Sequence, residues 1–267
     1  MRNIFRDSCR SPRKRGLGRK DDADDSVFLS EFIWTEAVCP RRMEDLSRQF
    51  IEFTLHTGVL KFGDFKMKSG RRSPYFFNSG LFSRGSTLGR LSRFYAQALL
   101  EARAAGRVDF DMLFGPAYKG ITLAAGTAMA LAEYGLDVPF AFNRKEAKDH
   151  GEGGMIVGEP LAGRVLIVDD VITDGAAKRE SVELIRAHGA TPCGVLIALD
   201  RGERTGADDA LSSLSAVAAF EQAFGIPVIS VARLDDLMQF IDSDAPSAAA
   251  LRPHRQAMVD YRSRYGA

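Results

Sequence analysis

Residues 165–177 read VLIVDDVITDGAA, and this stretch decides the fold. Its apolar first residues predict a buried strand that ends in Asp169 and Asp170, and its small residues open a helix at Ala176. Ligands of parallel sheets bind at the carboxyl ends of the strands. Backbone N–H groups at a helix N-terminus favour phosphate, and the hydroxyl of Thr173 adds a donor. The stretch therefore predicts a phosphate site in an α/β fold.

The two carboxylates at the end of this strand have more than one interpretation. They suit ribose hydroxyls, Mg²⁺ or a cationic transition state, because each of these offers a donor or a positive charge to an anionic oxygen. The alternative is a solvated acidic strand end in which an aspartate caps the following helix. The residue types alone leave these interpretations open.

The chain on both sides of this stretch alternates between strand and helix patterns. Strands are predicted at 110–114, 138–143, 194–200 and 228–232. Helices are predicted at 121–134, 176–188, 211–224, 237–241 and 248–265. This alternation indicates a parallel sheet covered by helices on both faces. The charged, glycine-rich residues 144–154 are predicted to form a loop.

Ahead of these elements the pattern predicts a small subdomain. Apolar residues at helical spacing begin at Leu46, and this helix ends at Gly58, which suits a C-cap. Residues 60–70 and 75–78 are predicted to be short antiparallel strands, and residues 88–105 return to helical spacing. This part therefore differs from the strand–helix units that follow it.

The composition narrows the class of protein. The chain has 267 residues, of which 45% are hydrophobic and 27% charged, which suits one large α/β domain or two small ones and excludes a fibrous chain. A membrane-spanning helix needs roughly 20 apolar residues, and the absence of such a run excludes a spanning role. Three cysteines without a C-x-x-C pair argue against a disulfide framework or a zinc site and predict a reducing, cytoplasmic location.

Residues 1–42 differ in composition from the rest of the chain. They carry ten Lys and Arg against seven acids, a net charge of +3, whereas residues 43–267 carry 26 against 28, a net charge of −2. The basic block 10–20 runs into the acidic block 21–25 without an apolar period, which predicts a disordered extension. A targeting address, a nucleic-acid or partner arm and an upstream translation artefact are the alternatives. The body has no bias towards nucleic acid, so no such partner is expected.

Residues 165–177 resemble the phosphoribosyl pyrophosphate motif of the type I phosphoribosyltransferases. Four further segments narrow the resemblance to the orotate phosphoribosyltransferases, namely LKFGDFKMKSGRRSPYFFN (60–78), FGPAYKG (114–120), FNRKEAKDHGEGG (142–154) and LDR (199–201). The resemblance implies the type I phosphoribosyltransferase fold, a central parallel sheet flanked by helices, with a small N-terminal hood of a helix and antiparallel strands. It also implies transfer of the phosphoribosyl group of 5-phosphoribosyl 1-pyrophosphate to orotate, which yields orotidine 5-phosphate and pyrophosphate in de novo pyrimidine (UMP) synthesis.

The resemblance also assigns the residues of the site. Expected to bind phosphoribosyl pyrophosphate are Lys68, Tyr118, Lys119, Arg144, Lys145, Lys148, His150, Asp169, Asp170, Val171, Ile172, Thr173, Asp174, Gly175, Ala176 and Ala177. Expected to bind orotate are Lys68, Phe76, Phe77, Thr173 and Arg201. Expected to be catalytic are Lys148, His150, Asp169 and Asp170. Mg²⁺ is implied as the cofactor, held mainly by the substrate and without a dedicated protein cage. A cis peptide bond is implied before Tyr118.

The charged segment 144–154 is implied to be a mobile lid that closes over the neighbouring subunit's site in a homodimer. Both substrates are anions and the body is net negative, so cations must be concentrated at the site, and Lys145, Lys148 and His150 would supply them. Glycines let such a segment fold over the site. Taken alone, a charged, glycine-rich segment is more often a solvated loop.

Two features depart from the family pattern. Asp174 stands where a small residue is common and Ala176 where a hydroxyl is frequent, so weaker substrate binding is expected. A carboxylate beside a phosphate is repulsive unless it points out of the loop. The family's chain would begin near Met43, which predicts an extension over residues 1–42 and a transferase domain over residues 43–267.

Arg201 carries the predicted specificity for orotate. A guanidinium matches a carboxylate with two parallel charge-assisted hydrogen bonds. Orotate differs from uracil by that carboxylate, so uracil is expected to leave Arg201 unpaired and to bind poorly. One rival function is a transferase for another base, which would accept uracil or a purine. The other is a non-catalytic sensor of phosphoribosyl pyrophosphate, which would need a DNA-reading or RNA-binding surface that the sequence does not indicate.

Overall fold

The structure is a computed structural model that describes residues 40–67, 70–148, 154–173, 175–206 and 210–267. Its helices are α1 (Pro40–His56), α2 (Gly85–Ala104), α3 (Lys119–Glu133), α4 (Ala176–Ala187), α5 (Ala216–Phe224), α6 (Leu234–Ile241), α7 (Pro246–Ala249) and α8 (Arg255–Tyr265). Its strands are β1 (Leu60–Lys66), β2 (Arg72–Phe77), β3 (Met112–Gly115), β4 (Phe140–Lys148), β5 (Gly154–Gly158), β6 (Arg164–Val168), β7 (Thr191–Asp200) and β8 (Val228–Arg233). The extension predicted over residues 1–42 lies outside the described residues, except that residues 40–42 begin α1.

The central sheet has six strands in the order β5-β4-β3-β6-β7-β8. Strands β4, β3, β6, β7 and β8 are parallel, as predicted, and Leu166 of β6 pairs with Leu113 of β3 and with Gly194 of β7. Because β6 lies between β3 and β7, the acid pair Asp169 and Asp170 emerges between the ends of these neighbours. This is the edge at which a ligand of a parallel sheet is expected.

The prediction of a loop at residues 144–154 is wrong in part, because both ends of this segment belong to strands. β4 continues through Lys148, and β5 runs antiparallel to it, with Lys148 opposite Gly154. The central sheet is therefore mixed rather than wholly parallel. A burial pattern could not reveal this ribbon, since Lys145 near its end is exposed and the strand is held by backbone pairing. Residues 149–153 lie outside the described residues.

Buried apolar side chains on the two faces of the sheet form two core layers. On β6, Leu166 and Val168 pack into the layer shared with α1, α2 and α3, whereas Val165 and Ile167 pack into the layer of α4 and α5. None of these four side chains is exposed. Both faces of the strand are therefore buried, and polar residues reach a ligand only from its end.

Helix α1 and the β1–β2 hairpin form the hood that the resemblance implied. Phe53 of α1 lies against Phe82 and against Phe94 of α2, with ring centroids 5.4 and 5.6 Å apart. β1 pairs antiparallel with β2, and the register shifts between Phe62 and Phe65. The aromatic contacts anchor the hood to α2, which packs against the main sheet.

Two helices near the C-terminus are shorter than predicted. α5 begins at Ala216 because the side chain of Ser215 caps it by accepting a hydrogen bond from the N–H of Ala218. The helix predicted at 248–265 is interrupted by a short 3-10 turn, since Pro253 has no N–H to donate. Among the residues that the structure describes, no helix is long and apolar enough to cross a membrane.

Candidate active site

The turn between β3 and α3 passes very close to neighbouring backbone. A Cβ at Gly115 would lie 2.1 Å from the carbonyl oxygen of Gly120, and a Cβ at Gly120 would lie 2.8 Å from that of Val168. Only glycine fits at both positions, and the two glycines hold the turn against the carboxyl end of β6. The peptide bond between Ala117 and Tyr118 is cis, as the resemblance implied.

Strand β4 contacts the same turn at its open side. The Oδ1 atom of Asn143 accepts a hydrogen bond of 2.9 Å from the N–H of Ala117. The ammonium of Lys145 lies 5.1 Å from the centroid of the Tyr118 ring, whose side chain is 69% exposed. The structure therefore brings together two residues expected to bind phosphoribosyl pyrophosphate, Tyr118 and Lys145.

Asp169 is the inner member of the acid pair. Its Oδ2 atom accepts a hydrogen bond of 2.5 Å from Nζ of Lys178, and its Oδ1 atom accepts one of 2.9 Å from the N–H of Asp170. The hydroxyl of Tyr95 donates to the backbone carbonyl of Asp169 at 2.9 Å. Burial raises the pKa of Asp169 above its ordinary value, although the charge of Lys178 acts in the opposite direction. Both carboxylate oxygens are thus engaged within the protein.

Asp170 is the outer member of the pair and joins three parts of the fold. Its Oδ2 atom accepts hydrogen bonds of 2.6 Å from Nζ of Lys119 on α3 and from Oγ of Ser79 in the hood. Burial by itself would raise the pKa of Asp170, but the hydrogen bonds from Lys119 and Ser79 outweigh it and hold this pKa below its ordinary value. Asp170 is therefore a carboxylate at neutral pH.

The chain after the acid pair leads into the N-terminus of α4. Ile172 is buried in the core layer of α4 and α5, whereas Thr173 is exposed. Gly175 caps α4 with a φ of +73°, which favours glycine over any other residue. Ala176 and Ala177 form the start of the helix, where backbone N–H groups have no partner within the helix. These groups form the anion site that the sequence predicted.

Strand β2 reaches across the ends of β6 and β7. Ser79, just after the strand, contacts Asp170, and the hydroxyl of Tyr75 contacts the residues that follow β7. Phe76 and Phe77 lie between these two anchors. The Phe76 side chain is 36% exposed, and Phe77 is half-buried against the core. Both residues expected to bind orotate therefore lie beside the acid pair.

Arg201 is held by a buried polar cluster. Its guanidinium forms a salt bridge of 2.6 Å with Glu203, and its Nε donates to the hydroxyl of Tyr75 at 3.3 Å. The same hydroxyl donates to Glu203 at 3.0 Å. Burial by itself would lower the pKa of Arg201, but the opposing charges of Tyr75 and Glu203 outweigh it and raise the pKa. The guanidinium is therefore charged and already paired.

Comparison with known proteins identifies the family. The phosphoribosyl transferase domain family matches residues 87–227. The orotate phosphoribosyltransferase of Herminiimonas arsenicoxydans is 60% identical over 224 residues, which cover 84% of this chain and 99% of that protein. The chain belongs to the orotate phosphoribosyltransferase family. The orotate phosphoribosyltransferase of Bordetella petrii is 59% identical over 82% of this chain and 96% of its own length. The crystal structure of the Francisella tularensis orotate phosphoribosyltransferase superposes with a TM-score of 0.70 at 39% identity and covers 82% of this chain and 100% of that one.

These findings confirm the family, the type I phosphoribosyltransferase fold and the enzyme class predicted from the sequence, a pentosyltransferase for orotate. Some of the site residues that the resemblance assigned cannot be placed. Lys68, His150 and Asp174 lie outside the described residues. Arg144 and Lys148 lie on β4, but the side chain of Lys148 lies outside the described part of the chain.

The sequence did not single out five residues that complete the site of this orotate phosphoribosyltransferase, namely Ser79, Tyr95, Asn143, Lys178 and Glu203. Four of them act through tertiary contacts that no local pattern reports. A signal did exist for Lys178, because it lies four and seven positions before Val182 and Ile185, on the buried face of α4. A lysine at an apolar position of an amphipathic helix indicates a buried partner.

The carboxylates of the site suit Mg²⁺ that arrives bound to a polyphosphate. Among the residues that the structure describes, no group of three or more His, Cys, Asp or Glu side chains converges. Asp169 and Asp170 each accept a hydrogen bond from a lysine, which leaves few oxygens for a cation. Mg²⁺ is commonly held by one or two carboxylates together with substrate phosphates.

Proposed function

We propose that this orotate phosphoribosyltransferase converts phosphoribosyl pyrophosphate and orotate to orotidine 5-phosphate and pyrophosphate at the carboxyl ends of β3, β6 and β7. The observation that carries the proposal is the position of Asp170, whose carboxylate contacts Lys119 beside the glycine turn and Ser79 in the hood. The ribose, pyrophosphate and orotate regions assigned by the resemblance thereby meet at one carboxylate.

The donor would lie along the ends of β6 and β3. Backbone N–H groups between Val171 and Ala177, with the Thr173 hydroxyl, would bind the 5-phosphate at the start of α4. Lys119 and Tyr118 would bind the pyrophosphate, since the Lys119 side chain is 56% exposed beside the acid pair. The ribose hydroxyls would donate to Asp170.

Bond breaking at the anomeric carbon develops positive charge on the ribose, as it does in glycoside cleavage. Asp170 is a carboxylate because Lys119 and Ser79 keep its pKa low, so its negative charge is available to oppose that positive charge. When the ribose hydroxyls bind, they compete with Lys119 for the same carboxylate, and Lys119 can then turn its charge towards the pyrophosphate.

The departing pyrophosphate needs positive charge as it leaves. Arg144, Lys145 and Lys148 on β4 would supply part of it, with His150 beyond them. Mg²⁺ bound to the pyrophosphate oxygens would supply more charge and make pyrophosphate a better leaving group. In this proposal the protein closes over the site and excludes water, which would otherwise hydrolyse the donor.

The acceptor would bind between the hood and the end of β7. Phe76 and Phe77 would line the orotate ring, and Lys68 would approach both substrates. Arg201 would pair with the orotate carboxylate. Thr173, which is exposed at the start of α4, would face the junction of the two substrates.

A homodimer with a shared lid is part of this proposal. Tyr118 and Met129 of the α3 region are 69% and 72% exposed, which is unusual for large apolar side chains. They lie eleven residues apart, about three helical turns, and therefore project on one side of α3. A second copy of the chain is the occupant we assign to this face. Because Tyr118 also contacts Lys145, such an interface would adjoin the segment of β4 that carries the cations.

The remaining expectations concern the chain as a whole. Residues 43–267 would form the catalytic unit, and residues 1–42 would not contribute to it. The cysteine content favours a cytoplasmic enzyme, since reduced thiols are stable there.

The assay that tests the proposal follows the loss of orotate absorbance with purified protein, donor and Mg²⁺. We expect Asp170→Asn to lower turnover roughly a hundredfold or more, because it removes the charge opposed to the transition state. Asp242→Asn is the matched control, since Asp242 is an exposed carboxylate paired with Arg255 outside the site. Uracil and purines replace orotate in parallel reactions. Consumption of one of these bases as fast as orotate would contradict the proposal.

A further inference from the structure

Lys178 is a buried cation in the first turn of α4. It is only 5% exposed, although lysine is rarely buried without a partner. Its position is also unfavourable for a positive charge, because the N-terminus of a helix carries the positive end of the helix dipole. A lysine held under these two penalties needs strong local partners.

Two oxygens compensate this ammonium group. Nζ of Lys178 donates to Oδ2 of Asp169 at 2.5 Å and to the backbone carbonyl of Val171 at 2.6 Å. Asp169 ends β6, Val171 begins the segment that leads to the helix, and Lys178 belongs to the helix itself. One side chain therefore fastens the strand end, the phosphate-binding segment and α4 to one another.

The contacts also divide the labour within the acid pair. Both side-chain oxygens of Asp169 are engaged, one by Lys178 and one by the N–H of Asp170. Asp170 instead contacts Ser79 and Lys119, which come from elements across the site. Asp169 therefore faces the protein interior, and Asp170 faces the place where a substrate would bind.

We propose that Lys178 is a positioning residue for the ribose 5-phosphate, which acts by fixing Asp169 and the Val171 carbonyl and so sets the backbone N–H groups that receive the phosphate. The inference rests on the proposed function, because it assumes that phosphoribosyl pyrophosphate binds at this segment. It assigns Asp169 an internal role and leaves Asp170 as the carboxylate that meets the ribose.

The competing explanation is that Lys178 only fills space on the buried face of α4. Methionine has a similar length and favours helices, so Lys178→Met keeps the packing and removes both hydrogen bonds. Under the competing explanation this variant has the kinetics of the wild type. Arg179→Met is the matched control, because Arg179 is the next residue of the same helix and is exposed.

The experiment measures the KM for each substrate and, by calorimetry without orotate, the Kd for phosphoribosyl pyrophosphate. We expect Lys178→Met to raise the KM and Kd for the donor at least tenfold and to change the KM for orotate less than twofold. Arg179→Met is expected to change each constant less than twofold. A donor KM within twofold of wild type in Lys178→Met would overturn the inference, as would equal losses in the two variants.

A double variant tests the route through Asp169 and covers the case in which Lys178→Met does not fold. Asp169→Asn/Lys178→Met leaves no unpaired buried charge, and we expect its Kd for the donor to equal that of Asp169→Asn within about twofold, because the two residues act as a unit. Multiplication of the two single losses would overturn the inference. Wild-type protein that binds the donor but does not consume orotate would contradict the proposed function alone.

Discussion

Arg201 and Glu203 form a salt bridge of 2.6 Å, and only 12% and 14% of their side chains are exposed. The sequence analysis assumed that uracil would leave Arg201 unpaired, and that assumption is wrong because Glu203 pairs with the guanidinium in the absence of any ligand. Preference for orotate must then come from hydrogen bonds that Arg201 gains with the substrate carboxylate. Glu203 opposes that gain, since it competes for the same guanidinium and repels the same carboxylate.

The first prediction follows from this competition. Arg201→Ala should lower kcat/KM for orotate roughly ten- to hundredfold, the range expected for charge-assisted hydrogen bonds, and leave the KM for the donor nearly unchanged. Glu203→Gln should act in the opposite sense on selectivity and widen the ratio of orotate to uracil turnover. Steady-state kinetics with both bases measures the two effects. If Arg201→Ala keeps the wild-type preference, Arg201 does not read the carboxylate, and Lys68 becomes the leading candidate.

The second prediction concerns the shared lid. Lys148→Ala should lower turnover by orders of magnitude with an unchanged Tm, because its charge is needed mainly as pyrophosphate leaves. A mixture of Lys148→Ala with Asp169→Asn/Asp170→Asn should recover activity, since one of the two sites in a hybrid dimer has a wild-type lid and a wild-type acid pair.

Subunit exchange is verified first, by native mass spectrometry of differently tagged chains. Each variant mixed with itself is the control for recovery. An exchanged mixture as inactive as its parents would show that Lys148 serves the site of its own chain. A monomer in sedimentation would contradict the proposed dimer itself.

The third prediction concerns acid stability. Hydrogen bonds from the side chain and the N–H of Arg164 lower the pKa of Asp111 from 3.8 to about 2. A lowered pKa in the folded state adds stability above the ordinary pKa, and this contribution disappears as the pH falls through about 2. Arg164→Met should therefore be less stable than wild type near neutral pH, and the difference should shrink below pH about 4.

Urea denaturation from pH 7 downward measures that difference. Arg164→Lys is the companion variant, since it keeps a charge but cannot form the two parallel hydrogen bonds, and it should lose only part of the effect. The contribution is modest because Asp111 and Arg164 are both largely exposed. A difference that stays constant with pH would show that Arg164 contributes packing rather than charge.

The sequence predicted the parallel strands well because each one buries both faces, which leaves a continuous apolar run such as that of residues 165–168. It missed the extension of β4 through Lys148, because backbone pairing holds that ribbon and its exposed side chains carry no burial signal. It located Asp169 and Asp170 but could not assign them different roles. That difference depends on Lys178 and Ser79, which tertiary packing brings to opposite sides of the pair.

The last prediction concerns the N-terminal extension. Residues 1–42 have no apolar period, and the first side chain that enters the core is Leu46, which is 7% exposed. A chain that starts at Met43 should therefore keep its Tm within about 2 °C, its oligomeric state and its orotate turnover. A start at Pro40 is the matched comparison, because α1 begins there. A start at Gln49 is the positive control, since removing a buried leucine costs about 2–5 kcal/mol and should lower the Tm by several degrees. If the Met43 chain lost several degrees or its partner subunit while the Pro40 chain did not, the first turn of α1 would be part of the folded enzyme. If both shortened chains lost them, the contribution would come from residues before Pro40.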